Sequence, residues 1–322
     1  MNVLITGIHG FVGSNLVEAL KGKHTLYGLD IINIEKDGVV KTYQWTDLDK
    51  EQQTAENGGL PHFDVVVHLA GKAHDTKNKA QADVYFKVNT DLTKKIYDYA
   101  LSYQVKKFIF FSSVKAAADS VVGDILTEDI VPAPLGPYGE SKIAAENYIL
   151  GCEEQRIKNG MSTYIMRPCM IHGPGNKGNL NLLYSVVKKR IPWPLGAFEN
   201  KRSFTSIDNL SFVIDKMIEL PIKSGIYHMA DDEALSTNEL IKVMCGALGM
   251  KSRIWNLPCG IMNSFAKFGG LLHLPLNPER LRKLTENYVV SNVKIKHALG
   301  IDKMPIRAID GLYKTIESFK HE

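Results

Sequence analysis

Three side chains in this sequence have the types and spacing to move a proton at an alcohol or a carbonyl: Ser113, Tyr138 and Lys142. Tyr138 and Lys142, in the string Tyr138-Gly139-Glu140-Ser141-Lys142, stand four residues apart and so are neighbours on one helix face. A phenol of ordinary pKa near 10 is a poor base at neutral pH, and bringing it down by about three units takes roughly 4 kcal/mol of preferential stabilisation of the phenolate. An ammonium group beside it is one source of that stabilisation, and the product is a proton shuttle poised near the working pH. Ser113 stands 25 residues before Tyr138 (138 − 113), just past the apolar run Phe108-Ile109-Phe110-Phe111, with Ser112 as its rival for donating a hydrogen bond to the reacting oxygen.

A second constellation opens the chain. Thr6-Gly7-Ile8-His9-Gly10-Phe11-Val12-Gly13 follows the strand-like run Asn2-Val3-Leu4-Ile5 and leads into Phe11, Val12, Leu16, Val17 and Leu20 at helical spacing. Strand, glycine turn and helix together form the setting for a dinucleotide pyrophosphate. Gly7 serves the tight turn, Gly10 lets backbone approach the phosphates, and Gly13 lets helix and strand pack closely. Phe11 and Val12, opening the helix, present N–H groups and the positive end of its dipole. The next strand-like run ends at Asp30, 23 residues after Gly7 (30 − 7), where an acid accepts hydrogen bonds from ribose hydroxyls. Asp30 and Ile31 are therefore expected on the adenosine side of the site. No Arg follows in Ile31-Ile32-Asn33-Ile34 to welcome a 2′-phosphate, so NAD is expected over NADP. A bound oxidised nicotinamide is the second positive charge that would lower the Tyr138 phenol.

The elements that must hold these residues are legible as an alternation. Val65-Val66-Val67-His68-Leu69 and Phe108–Phe111 read as buried strands, separated by a helical stretch over 80–103. A second helical stretch runs from Tyr138 to about Lys158, and Ser162-Thr163-Tyr164-Ile165-Met166 reads as another strand. This predicts an α/β fold: a Rossmann-type doubly wound parallel sheet with a smaller C-terminal α/β lobe. Residues 1–167 are expected to form the nucleotide domain and 168–322 mainly the second lobe. Phe204–Ile207 and Ile226–Met229 are the candidates for strands returning to the sheet near 204–229.

Length and composition suit one enzyme-sized unit: 322 residues, 44% apolar and 23% charged. A net charge of +4, not gathered into basic blocks, argues against nucleic acid as a partner. Cys152, Cys169, Cys245 and Cys259 have neither metal-site nor disulfide spacing and fit free thiols in a reducing cytoplasm. Met1 leads straight into the first strand, which leaves a secretory leader unexpected. The apolar stretch 254–276 is interrupted by Pro258, Lys267, Gly269-Gly270, His273 and Pro275, so an apolar helix of the second lobe is expected rather than a membrane span. Weak attachment to a membrane surface stays open.

With the glycines spaced as Gly7, Gly10 and Gly13, and with Ser113, Tyr138 and Lys142, the chain resembles the extended short-chain dehydrogenase/reductases that act on nucleotide sugars. The resemblance covers nearly the whole chain and is most specific up to about residue 175. It implies that Asp47-Leu48 hold the adenine and that Leu69-Ala70-Gly71-Lys72 pass under the pyrophosphate and nicotinamide ribose. It implies that Lys142 also binds that ribose and that Asn89 props the sheet beside the site. Backbone beyond Arg167-Pro168 would meet the carboxamide. For the sugar and its diphosphate it points to Asn179-Leu180, to Arg202, and to Arg280 or Arg282. Pro192-Trp193-Pro194-Leu195 is either a base pocket or core packing, and His172, where the family often has tyrosine, is expected to be a packed or exposed side chain. Family members commonly pair into homodimers through helices matching 80–103 and 138–158.

Four readings of the reaction remain open. A 4-epimerase would oxidise and re-reduce C4 of a UDP-hexose or UDP-N-acetylhexosamine, and Asp30 tilts the reading that way because such enzymes retain NAD. A 4-ketoreductase, using NADH or NADPH on a 4-keto-6-deoxy sugar, is the alternative. A 4,6-dehydratase normally carries an acid after the catalytic Ser or Thr, and Val114 has none to offer. A non-catalytic NAD-binding regulator fits poorly with an intact Ser113, Tyr138 and Lys142. Ser112-Ser113-Val114-Lys115 is closest to epimerases and reductases of bacterial surface-polysaccharide pathways.

Overall fold

Apolar residues alternate between two faces along the strands, and this alternation decides the architecture. The computed structural model describes residues 1–49, 60–72, 81–176, 178–271 and 277–320. The chain begins β1 (Asn2–Thr6), α1 (Phe11–Leu20), β2 (Thr25–Asp30), β3 (Val39–Gln44) and β4 (Val65–His68). It continues with α2 (Ala82–Tyr85), a π-helical turn (Phe86–Asp91), α3 (Leu92–Ser102), β5 (Lys107–Phe111), α4 (Val114–Ala117), α5 (Gly136–Gly151), α6 (Glu153–Lys158) and β6 (Ser162–Pro168). Then come β7 (Met170–His172), α7 (Asn179–Lys188), β8 (Phe204–Ser206), α8 (Ile207–Glu219) and β9 (Gly225–Met229). Helices α9 (Thr237–Ala247), α10 (Cys259–Leu271), α11 (Pro278–Thr285), α12 (Val293–Leu299) and α13 (Ala308–Ser318) complete the chain.

Seven strands form one sheet in the order β3-β2-β1-β4-β5-β6-β9, every neighbouring pair parallel. Val3, Ile5, Val65, Val67, Ile109 and Tyr164 face a core closed by Leu16, Val17 and Leu20 of α1 and by α8. The intervening Leu4, Val66, Phe108, Phe110 and Ile165 face the opposite core, closed by Ile96 and Tyr97 of α3 and Ala145 and Ile149 of α5. Helices thus cover both faces, as a buried parallel sheet requires. The strand order reverses between β1 and β4, and it is beyond the carboxyl ends of the strands at such a reversal that a parallel sheet leaves a crevice. The second lobe has its own core, in which Tyr184 of α7, Met244 of α9, Met262 of α10, Leu281 of α11 and Leu312 of α13 meet.

Ile226–Met229 enters the sheet within β9, as its apolar run predicts. The Phe204–Ile207 run does not. Phe204–Ser206 pairs only with β7, in a separate two-stranded sheet. The chain turns there because Ser206 is a helix cap: its Oγ accepts the Asn209 N–H, while its own N–H and hydroxyl are held by the Asp231 carboxylate. Ile207 accordingly starts α8. Of the helical stretch 80–103, Ala80 lies outside the described residues, and the rest is broken by the π turn. The stretch from Tyr138 is interrupted at Cys152 and resumes as α6. Helix α12 also returns to the seven-stranded sheet, where Ile295 and Leu299 join the α1-side core.

Between sheet and α5 lies a buried ion pair. Arg167 of β6 donates from Nε to Glu146 Oε1 at 3.0 Å and from Nη2 to Oε2 at 2.5 Å, with both side chains essentially inaccessible. Removing one partner of such a pair leaves an uncompensated buried charge. Glu146→Ala should therefore lower unfolding free energy by about 3–5 kcal/mol in urea titrations. A loss below about 1 kcal/mol would mean that water reaches the guanidinium and the pair is not structural.

Candidate active site

The crevice is built on the exits of β1 and β4. Gly7 has φ +68°, and a Cβ there would come within 2.9 Å of the Ala70 backbone, so two strand ends touch where only glycine fits. Helix α1 sits equally close: a Cβ at Gly13 would lie 2.8 Å from Ile8 Cα. The turn is tied by Gly7 N–H to Leu29 O (2.9 Å) and Gly10 N–H to Gly7 O (3.0 Å). Asp30, largely buried at the tip of β2, accepts the His9 N–H of this turn at 3.0 Å and the Ile31 N–H at 2.7 Å. Phe11 packs below Gly173 and Gly175, and Asn15 of α1 donates to Pro174 O, which draws the loop after β7 over the glycine turn. Asp47 and half-buried Leu48 lie in a 3₁₀ turn (Trp45–Asp49) directly after β3, where the Asp47 carboxylate accepts the Gln44 N–H. Val12 packs against the α1-side core, as does Leu69 beyond β4, and Pro168 is buried at the end of β6.

Ser113 caps α4, its Oγ accepting the Lys115 N–H at 3.2 Å. That bond occupies an acceptor site and leaves the hydroxyl hydrogen free to donate. The Tyr138 phenol, in the first turn of α5, lies close enough to the Ser113 hydroxyl for that group to favour its ionised form. Ser112 is ruled out as the donor to a substrate, because its hydroxyl is committed to the buried Glu146 carboxylate. Lys142 Nζ donates to Phe111 O at 2.8 Å and lies over the Phe110 ring. A side chain at Gly71 would meet both Lys142 Nζ and Asn89 Oδ1, so the turn after β4 runs across these two groups. Asn89, in the π turn, accepts the Lys72 N–H at 2.7 Å and donates to Lys72 O and Ser141 Oγ. The extra residue of a π turn is a frequent feature of functional sites; here the turn sets the Asn89 amide between Lys72 and Ser141.

Electrostatics differ from the expectation in one respect. Burial pushes the Tyr138 phenol up, and the Ser113 hydroxyl offsets part of this; the Lys142 ammonium is not among the groups that move it. Burial lowers Lys142 itself to about 8, with Glu146 opposing. With no cofactor beside it, the phenol thus stays a phenol at neutral pH.

A chain of buried hydrogen bonds runs beneath the site. Ala70 N–H donates to Thr6 Oγ1 (3.0 Å), which bonds His68 Nδ1 (2.7 Å), while His68 Nε2 bonds Thr93 Oγ1 (2.9 Å) and Thr93 donates to Asn89 O (2.7 Å). Thr93 spends its hydrogen on Asn89, so His68 must donate from Nε2 and accept at Nδ1. Burial, aided by Lys142, lowers His68 to about 3, consistent with that neutral tautomer.

On the lobe side the expectations divide. Leu180 is buried in the second lobe's core, so its side chain does not reach the crevice, whereas Asn179 is exposed at the start of α7. Trp193 and Leu195 likewise belong to that core. Arg202 is bridged to Tyr288, donates to Lys283 O, and lies near enough to Cys169, beside Pro168, to oppose the rise of its thiol pKa. Arg282 reaches Asp119 at 3.5 Å, and Asp119 in turn holds Lys115 at 3.1 Å, two residues beyond Ser113. Arg280 is exposed on the same helix, α11. Val114 is buried among Ala118, Cys169 and Tyr288 and itself offers no titratable side chain. His172 is packed, with Nδ1 on Thr315 Oγ1 at 2.8 Å.

The NAD dependent epimerase/dehydratase family model matches residues 3–230, and the chain belongs to that family. It is 30% identical over 334 residues to a UDP-glucose 4-epimerase of Vibrio cholerae, covering 99% of this chain and 95% of that protein. It is 28% identical over 299 residues to the N-acetyl-alpha-D-glucosaminyl-diphospho-ditrans,octacis-undecaprenol 4-epimerase of Escherichia coli O157:H7, covering 92% and 84%. The fold matches the solved complex of MoeE5 with UDP-glucuronic acid and NAD at TM-score 0.75 and 20% identity, over 100% of this chain and 99% of that one. Among the described residues, no helix is long and apolar enough to cross a membrane.

Sequence reasoning missed Glu146, His68, Thr93 and Tyr85, whose ring packs edge-on against Tyr138. Glu146 had a signal: it extends the Tyr138, Lys142 stripe by one more turn. Folding that lowers a histidine from 6.5 to about 3 makes the unfolded chain bind more protons between those values, so this term is fully present above pH 6.5 and is lost as pH falls toward 3. Nitrogen NMR of the folded protein should find His68 neutral with its proton on Nε2 at pH 5. A protonated ring at that pH would break the assigned network.

Proposed function

We propose that this chain is an NAD-dependent 4-epimerase of a UDP-hexose or UDP-N-acetylhexosamine, acting by transient oxidation at C4. The observation that carries the reading is the Tyr138 phenol within the influence of the Ser113 hydroxyl at the carboxyl edge of the sheet, with the Lys142 ammonium one turn along α5 and apolar Val114 where elimination would need an acid. The crevice fits the cofactor: backbone approach is open at Gly10, and a Cβ at Gly7 would close the junction with Ala70. Gly10, Phe11, Val12 and Gly13 would hold the pyrophosphate at the N-terminus of α1. Asp30 and Ile31 would hold the adenosine ribose, and Asp47 and Leu48 the adenine. Leu69, Ala70, Gly71, Lys72, Asn89 and Lys142 would frame the nicotinamide ribose, and backbone at Pro168 the carboxamide.

When bound, NAD supplies the reversible oxidation of the sugar at C4. The residues handle the proton and the orientation. Ser113 donates a hydrogen bond to the C4 oxygen, whose proton Tyr138 accepts as base. Lys142, charged below its pKa of about 8, holds the ribose. After the sugar has turned in the cleft, Tyr138 returns the proton to the same oxygen. Arg202 and Arg282, with Asn179 at the start of α7, would bind the diphosphate. The 30% identity to a UDP-glucose 4-epimerase over nearly the full chain supports the reading.

The purified protein should carry NAD(H) and interconvert UDP-hexoses or UDP-N-acetylhexosamines at C4, followed by proton NMR. A cofactor-free preparation that consumes NADH only when given a 4-keto sugar would make it a reductase instead. Tyr138→Phe should bind NAD as the parent does and turn over at least about 100-fold more slowly; undiminished turnover would remove the phenol from its role. Asp30→Ala should weaken NAD more than NADP in calorimetric titrations, because the lost carboxylate serves a free ribose hydroxyl and repels a 2′-phosphate; equal weakening would undercut the cofactor preference.

A further inference from the structure

The second lobe carries a face that the proposed chemistry does not use. Helix α10 is amphipathic: Met262 and Ala266 are buried in the lobe's core, while Ile261, Phe265 and Phe268, at successive turns, point outward. Phe265 and Phe268 are 62% and 66% exposed, and Trp255, just ahead of the helix, 55%. Two large exposed rings on neighbouring turns of one helix, with a third on the segment that leads into it, are uncommon on a surface that faces only water.

The two stretches of chain that build this face carry no acid, and Glu279, where α11 packs on the end of α10, is paired with Lys283. Between Glu154 and Glu199, and again between Glu239 and Glu279, the sequence contains no Asp or Glu. These two stretches meet in space: Trp193 N–H donates to Arg253 O and Trp255 N–H to Trp193 O, and Cys259, which starts α10, lies against Ala197 O. Beside the seam is a cavity of about 270 Å³ with Val186, Trp193 and Ile241 in its walls and Arg190, Lys251 and Arg253 among its lining. Among the described residues none of these three cations has a recorded ion-pair partner, and the buried Trp193 indole N–H has no hydrogen-bond partner. Arg190 also ends α7 with φ +58°, the left-handed region that favours glycine, so a cation is kept there at some backbone cost.

We propose that this face docks on an anionic phospholipid membrane. Helix α10 lies in the interface with Phe265 and Phe268 at the acyl boundary, Trp255 sits at headgroup level, and Arg190, Lys251 and Arg253 meet lipid phosphates. Apolar rings next to unopposed cations are the composition of an interfacial anchor. A second copy of the chain suits the face poorly, since pairing two such faces would set cation against cation. The inference does not depend on which sugar the active site takes.

Vesicle flotation of the intact protein tests it. Vesicles of phosphatidylglycerol and phosphatidylcholine should carry the protein up the gradient, phosphatidylcholine alone should not, and about 0.5 M salt should weaken the binding. Phe265→Ser with Phe268→Ser should cut binding at least about tenfold while the thermal midpoint and the turnover stay those of the parent. Lys251→Glu with Arg253→Glu should abolish the preference for anionic vesicles. The proposal fails if the parent floats with neither vesicle, if it floats equally with both, or if the double serine variant floats as the parent does. It fails as well if that variant instead splits an oligomer in sedimentation velocity while the parent ignores vesicles, because a second copy then covers the face.

Discussion

The site depends on keeping an ammonium group charged inside the protein. Lys142 is 5% exposed, and desolvation of a buried cation costs several kcal/mol unless it is compensated. Three features offset that cost: the Phe111 carbonyl accepts from Nζ, the Phe110 ring lies under it, and Glu146, one turn away, favours the charged form. Absence of a side chain at Gly71 leaves room for it. Burial still brings its pKa to about 8, so the group stays mostly protonated at neutral pH without being inert. The neighbouring His68 is kept neutral, which spares the pocket a second positive charge.

The same groups tie the two halves of the crevice together. Glu146 takes the Arg167 guanidinium and the Ser112 hydroxyl, so α5, β5 and β6 are clamped directly below Ser113. The Thr6–His68–Thr93–Asn89 chain links the exit of β1 to the π turn, and Asn89 then fixes the turn that carries Gly71 and Lys72. A displacement of the glycine turn is therefore felt at Gly71 and Lys72 through bonds that are buried from Thr6 to Asn89. Such networks are rigid when fully satisfied. On the lobe side, Asp119 gathers Lys115 and Arg282 while Tyr288 ties the Arg202 segment to α4, so the cationic wall of the cleft moves with Ser113.

Most of the seven-stranded sheet was legible because parallel strands buried on both faces leave unbroken apolar runs, as Val65–Val67 and Phe108–Phe111 do. Gly7 and the Tyr138, Lys142 pair were legible because backbone approach and helix spacing each demand particular residues. What was hidden is tertiary. Phe204–Ser206 has the composition of a sheet strand, yet Asp231 seizes Ser206 and ends it after three residues. Leu180 is an ordinary core leucine by its neighbours in space and a substrate contact only by analogy. His68 and Thr93 stand 25 positions apart in sequence, and their bond exists only once α3 lies on β4. The Tyr138 phenol was expected to be lowered by Lys142, but in the protein alone burial outweighs any such help.

That last point makes the cofactor an electrostatic participant, and one titration tests it. The ultraviolet difference between the protein and its Tyr138→Phe variant reports the ionisation of this single phenol, with and without saturating NAD. The account predicts a phenol at or above its ordinary pKa of about 10 in the protein alone and a tyrosinate appearing well below that value, toward neutral pH, when NAD is bound. A phenol that titrates at the same pH in both states would contradict it.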